Sequence, residues 1–315
     1  MNGSSPRLRR IAASATALAL ITTASRAEEQ EQELPSWIPS VGLGFGIQSR
    51  EIDGNIDAFL LGGTITPTNF VCQGSPPNNP NLPPITGICD LSTSDSRASD
   101  GAAFDISGQV LGPSLSSVWL KPRPFVHGGF AFEYDSRTIA EAGENPGSFD
   151  VNGQEPDLRT RLRANPDYLW YAGGGIALQL PIEFTPVFVK IGAHYLEERM
   201  DAVGSIDQGT GETTVLHSEV KKTLKIGGVG PSVGVEAEVW RFGPVGLQAT
   251  ADMFVTFPIS GTDANMDLDQ PDHDPFPSCS ANPNVPCVPP ANFDFNADNI
   301  HYLGVASLRF AWLGY

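Results

Sequence analysis

From Val245 to Phe257 apolar residues fall on every second position: Val245, Leu247, Ala249, Ala251, Met253, Val255 and Phe257, with Gly246, Gln248, Thr250, Asp252 and Thr256 between them. The stretch 233–240 obeys the same rule, with Val233, Val235, Ala237 and Val239 set against Gly234, Glu236 and Glu238. A period of two is that of a strand with one apolar and one polar face. Arg241-Phe242-Gly243-Pro244 is all that separates the two runs, so they predict a hairpin. The pattern returns in strands 168–180 and 185–198 about Pro181-Ile182-Glu183, in 103–111 and 123–134 about the link 112–122, and in single strands 40–50 and 300–315. The total is eight. Ile56 to Thr66 also has strand character, which leaves ten strands as the alternative count; it is read here as chain projecting beyond the ring.

The links alternate in length. Those at 112–122, 181–184 and 241–244 are short, whereas 51–100, 136–166, 201–220 and 261–298 are long, polar and rich in Pro, Gly and Asp, and are expected to be loops. Short turns on one rim and long loops on the other are the layout of an antiparallel transmembrane β-barrel, with periplasmic turns and extracellular loops. Aromatic residues gather at two depths. Trp240, Phe242 and Trp312 fall near the short turns, and Tyr134, Trp170, Tyr195 and Tyr302 toward the long links, as an interfacial girdle would place them. Two segments break phase. Leu224 and Ile226 are out of step with Val233, which predicts a bulge or bend in Gly227-Gly228-Val229-Gly230-Pro231; Tyr315 is out of step with Phe310 and Trp312.

The last strand turns Ala306, Leu308, Phe310 and Trp312 to one side and Ser307 and Arg309 to the other, and its final residue is aromatic. Phe310, Trp312 and Tyr315 thereby resemble the terminal signal by which outer-membrane proteins are recognised for assembly. With the strand and link pattern, the chain resembles the small outer-membrane barrels of the OmpA/OmpX/OmpW type. The resemblance lies in architecture and covers the whole chain after residue 27. It implies a Gram-negative outer membrane, contact with lipid and lipopolysaccharide, and passage through periplasmic chaperones and the barrel-assembly machinery.

The amino-terminal segment agrees with export. Arg7, Arg9 and Arg10 precede an apolar run from Ile11 to Ile21, and Ser25 and Ala27 sit where a signal peptidase requires small residues, so 1–27 reads as a cleaved signal peptide. Residues 28–39 then form a short periplasmic tail and 40–315 the barrel. Beyond Ala27 no apolar window is long enough for a membrane helix. The 33 glycines and 27 prolines favour turns over helices, and the net charge of −17 argues against nucleic acid as a partner. Cys72/Cys89 and Cys279/Cys287 each lie within one Pro/Asn-rich link; an oxidising compartment favours a disulfide in each, with metal binding as the rival reading.

Eight strands enclose space only for side chains. The positions expected inside include Gln48, Asp105, Gln109, His127, Glu133, Gln179, Lys190, His194, Glu236, Glu238, Asp252 and Arg309. Strand adjacency pairs Lys190 with Glu236 or Glu238, and Arg309 with Asp252. The glycines of Gly42-Leu43-Gly44-Phe45-Gly46 are inward positions opposite lipid-facing neighbours, without the helix a nucleotide site requires. His217-Ser218 could suggest a nucleophile and base, but adjacent residues of an extended chain face opposite ways. Asp263, Asp267, Asp269, Asp272 and Asp274 form an acidic link without the glycine and closing glutamate of a calcium loop. The expected function is a structural or surface-interaction role carried by long loops over a plugged lumen, with no cofactor. A narrow channel and a rim-located acyl hydrolase are the alternatives.

Overall fold

The structure, a computed structural model, describes residues 37–61, 88–90, 92–115, 120–133, 136–144, 156–182, 185–210, 213–268 and 291–314. The segment read as a signal peptide, Tyr134, Tyr315, Cys72, Cys279 and Cys287 lie outside them, and of Cys89 only the backbone is described.

The described residues form strands β1 (Ile38–Leu61), β2 (Ile88–Asp90), β3 (Thr93–Leu111), β4 (Pro122–Glu133), β5 (Arg137–Glu144), β6 (Pro156–Leu180), β7 (Val187–Thr210), β8 (Thr213–Phe242), β9 (Val245–Ser260), β10 (Asp263–Asp267), β11 (Ala291–Asn296) and β12 (His301–Trp312). Eight of them close into a ring: β1–β12–β9–β8–β7–β6–β4–β3 and back to β1, antiparallel at every step. The segment that raised a count of ten is in part the upper end of β1, not an additional wall strand. The β8–β9 connection is tight, and Gly243 supplies the positive φ of 59° that it requires.

Several segments expected to be loops are strands. Residues 51–61, 93–100, 137–144, 156–166, 201–210, 213–220, 263–267 and 291–296 all carry ladder pairing. The link at 201–220 is largely the top of a β7–β8 ladder, in which Thr210 stands opposite Thr213. Above the ring these extensions form two four-stranded sheets, β10–β11–β1–β3 and β5–β6–β7–β8. In the first, β11 takes the place beside β1 that β12 holds lower down, and β10 pairs with β11 in turn. In the second, β5 takes the place of β4 beside β6.

The two sheets pack face to face over an apolar core. Ile52, Ile56, Ile139, Leu162, Met200, Ile206, Leu224, Ile226, Met266, Phe293 and Phe295 are buried there. The approach is close: a Cβ on Gly54 would stand 2.9 Å from both Ile139 and Leu162, and one on Gly204 would stand 2.5 Å from the Phe293 ring. One seam between the sheets is held by side chains. Arg97 donates to the Thr138 carbonyl at 3.4 Å, and Arg137 donates to the Ala98 carbonyl at 3.5 Å.

The ring and this upper tier have opposite polarity. On β1, Val41, Leu43, Phe45 and Ile47 are exposed on the outside of the ring, whereas Ile52, Ile56 and Ala58 higher up are buried inside. The expected phase fault in β8 has this origin. Leu224 and Ile226 face the upper core and Val233 faces outward below it, on a strand paired residue for residue with β7 from Leu216 to Ala237. The slip at Gly227/Gly228 is confined to the β9 side, where Ile259 is skipped. Alternation was kept; the side that is apolar changed.

Candidate functional site

The outside of the ring carries a belt of exposed apolar side chains. Phe45, at 74 % exposure, heads a set that includes Val41, Leu43, Val126, Ile191, Val233, Leu308, Phe310 and Trp312. β1 and β12 bring four of them into two cross-strand pairs, Val41 opposite Phe310 and Leu43 opposite Leu308. Trp240, Phe242 and Trp312 project outward near the short-turn rim, and Trp170, Tyr195 and Tyr302 border the belt on the other side. A patch this extensive is far beyond what a water-facing surface carries.

The inside is the reverse. Lys190 on β7 and Arg309 on β12 are 2 % and 1 % exposed, and both meet the same two carboxylates. Lys190 Nζ lies 2.7 Å from Asp252 Oδ1 and 3.5 Å from Glu236 Oε2. Arg309 lies 3.1 Å from Asp252 Oδ2 and 3.8 Å from Glu236 Oε2. Gln109 crosses from β3 to join them: Lys190 and Arg309 each donate to its Oε1 at 3.0 Å, and its amide donates to Glu236 at 2.7 Å. Two cations and two anions thus balance within one layer. Balance matters, because an uncompensated buried charge costs several kcal/mol. Glycines make the room: a Cβ on Gly42 would stand 2.5 Å from Arg309 Cγ, and one on Gly44 2.6 Å from Ser307 Cβ.

Glu238 is not part of this network. It turns to the rim and accepts from Arg241 Nε at 2.6 Å and Nη2 at 2.7 Å, so of the two acids that adjacency offered Lys190 it is Glu236 that meets it. The register slips between Glu238 and Trp240, where the strand nears its turn. Asp105 accepts from the Tyr171 hydroxyl at 3.0 Å rather than from a cation.

Above the ionic layer lies an aromatic one. Phe254 is in ring contact with Tyr171, His194 and His127, at 4.7, 5.0 and 5.5 Å. Tyr171 lies across Gly129, and His127 reaches Gly173, inward positions where a Cβ would collide. A second polar layer follows. Arg50 meets Glu198 at 2.8 Å, His301 Nε2 meets Gln48 at 2.9 Å, and Gln48 donates to Glu133. Arg50, Glu198 and His301 were absent from the expected interior, although parity points to them: Arg50 shares the phase of Gln48, Glu198 that of His194, and His301 that of Arg309. A further apolar group, with Ile38, Leu111, Phe125, Phe188 and Leu313, fills the short-turn end. The upper core described above covers the other.

Other candidates separate. His217 points outward to Asp207 and Glu219, while Ser218 beside it is buried on the inner face, so the two cannot act together. Asp263 and Asp267 stand in β10, where Asp263 accepts from the Asn296 amide at 2.9 Å on a polar outer face; Asp269, Asp272 and Asp274 lie outside the described residues. Among the described residues no group of three or more His, Cys, Asp or Glu could hold a metal ion.

No family model and no curated protein matches the sequence. Among solved structures a Pseudomonas aeruginosa FadL homologue is similar at 9 % identity over 89 % of this chain and 91 % of that one, with a TM-score of 0.20; at that value the likeness carries no argument about fold or function.

Proposed function

We propose that the chain is an eight-stranded β-barrel of a bacterial outer membrane, of the small OmpA/OmpX/OmpW type, with a structural or surface-interaction role borne by the tier above the membrane. One observation carries the reading: the polarity of the wall inverts along continuous strands. Below, apolar side chains face out and ion pairs face in. Above, apolar side chains face in and Asp, Asn, Ser, Arg and Lys face out. A chain wholly in water has no use for the lower arrangement, whereas a bilayer requires it and forbids unpaired sheet edges at that depth. The polar inside is a plug of packed layers, which favours a scaffold over a conduit. The exposed tier and the links it carries are then the parts available to lipopolysaccharide or a surface ligand. The leader 1–27 supplies the export signal, and Phe310 and Trp312 belong to the assembly signal.

Expression of the complete chain in a Gram-negative host, with envelope fractionation, tests this reading. The protein should partition with the outer membrane and migrate faster on gels unheated than boiled. Recovery in the soluble periplasm would overturn it.

A further inference from the structure

Cations gather on one side of the molecule, just above the belt. On the outer face of β6, β7 and β8, Tyr168, Arg199 and Lys225 form one cross-strand row, and Arg163, Val203 and Lys221 form another higher up. Lys221 is matched by Asp201 at 2.7 Å and Arg163 by Glu219 at 3.1 Å. The lower row is different. Arg199 and Lys225 stand directly opposite each other, and like charges so placed weaken a strand pair. Among the described residues the acid paired with Arg199 is Asp167 at 3.6 Å, itself half exposed, and Arg199 Nε has no hydrogen-bond partner there. Lys225 has no ion pair among the described residues. Glu197, one step lower on β7, is taken up by Trp170 Nε1 and the Tyr195 hydroxyl, each at 3.3 Å.

The surroundings say what would compensate these charges. The Arg199 guanidinium lies 5.8 Å from the centre of the Tyr168 ring. Immediately below are Trp170, Tyr195 and the exposed Val229 and Ile259, all continuous with the belt. The opposite wall at the corresponding height presents Ser49, Glu51 and Asp100, with Ser49 donating to Asp100 at 2.6 Å. An anion with apolar chains attached would therefore meet cations on one side only.

We propose that Arg199 and Lys225 seat a phosphate monoester of an anionic membrane lipid headgroup, whose acyl chains lie along Tyr195, Val229 and Ile259. A phosphate between them removes the like-charge conflict and accepts charge-assisted hydrogen bonds from both. The inference rests on the membrane-spanning reading above, and the experiment separates the two. The full mature chain is placed in phosphatidylcholine nanodiscs doped with diphosphoryl lipid A, and retained lipid is counted by native mass spectrometry. Wild type should hold diphosphoryl lipid A at least about tenfold better than Arg199→Gln/Lys225→Gln, and better than it holds the dephosphorylated lipid. The exchange Arg199→Lys/Lys225→Arg should restore most of the retention, which a merely misfolded variant would not show. Equal retention of the two lipids, or by wild type and the double Gln variant, overturns the inference. Flotation with pure phosphatidylcholine vesicles is the separate arm: a chain that does not float defeats the membrane reading itself.

Discussion

Arg309 shows what a single buried residue does here. Its guanidinium joins Asp252, Glu236, Gln109 and Ser107, and it has room because Gly42 lacks a side chain. Arg309→Met should destabilise the protein by about 3–5 kcal/mol, since it leaves a carboxylate without a counter-charge. Urea unfolding in detergent micelles measures this. The double variant Arg309→Met/Asp252→Leu should recover a large part, because removing both partners of a buried pair is far milder than removing one. Asp201, outside the belt, makes a smaller and pH-dependent contribution. Partial burial would raise its carboxyl, but the bonds from Lys221 and Thr223 outweigh that and hold it below its ordinary 3.8. A depressed folded value means the contribution is full above the ordinary value and fades as pH falls through the depressed one. Wild type should exceed Asp201→Asn by under about 1 kcal/mol near neutrality, and the gap should close between about pH 4 and pH 2 in chemical unfolding.

At the scale of the element, the same strand serves two environments, and substitutions should report which one they enter. Leu308 stands in the belt on β12, opposite Leu43 and Ala249. Leu308→Arg should cost about 2–4 kcal/mol when folding into a bilayer, the price of a cation near mid-membrane. Asn55→Arg, on the polar outer face of β1 well above Ile47, the last belt position on that strand, should stay within about 0.5 kcal/mol. Folding titrations into lipid vesicles compare the two. Phe293 on β11 is fully buried between the upper sheets, against Gly204. Phe293→Ala should cost about 3–5 kcal/mol of local stability by opening a cavity. Hydrogen exchange should then quicken at Ile52–Ala58 and Met200–Ile206, with Val41–Ile47 still protected. Uniform loss of protection would show that tier and ring unfold as one unit.

For the whole molecule, the alternation of apolar and polar layers inside the ring is the consequential feature. An apolar group fills the short-turn end, then come the Lys190–Arg309 layer, the aromatic layer about Phe254, the Arg50–Glu198 layer and the upper core. Conduction would have to displace buried ion pairs and two apolar seals together. Planar bilayers containing the purified protein should therefore show no steady single-channel steps. Sustained conductance in wild type would contradict the plug.

How far this was readable from residues alone differs by region. Along β9 and β12 the belt and the interior were plain, because each position keeps one environment from end to end and strict alternation reports it. Lys190, Glu236, Asp252 and Arg309 followed from parity as inward groups. Their shared layer did not, because the partner that unites them, Gln109, comes from across the ring, and only ring closure brings it there. Arg50, Glu198 and His301 stand at the ends of the expected strands, where alternation alone does not say whether the wall still encloses a lumen. Strand number, pairing parity and the position of the belt were thus determined by the sequence, since alternation and turn residues are local properties of the chain. That the supposed loops rise as two sheets with their own core was decided by tertiary structure. Above the belt the apolar face turns from the outside to the inside, and whether an alternating face is inner or outer depends on what the ring encloses there, which no single strand records.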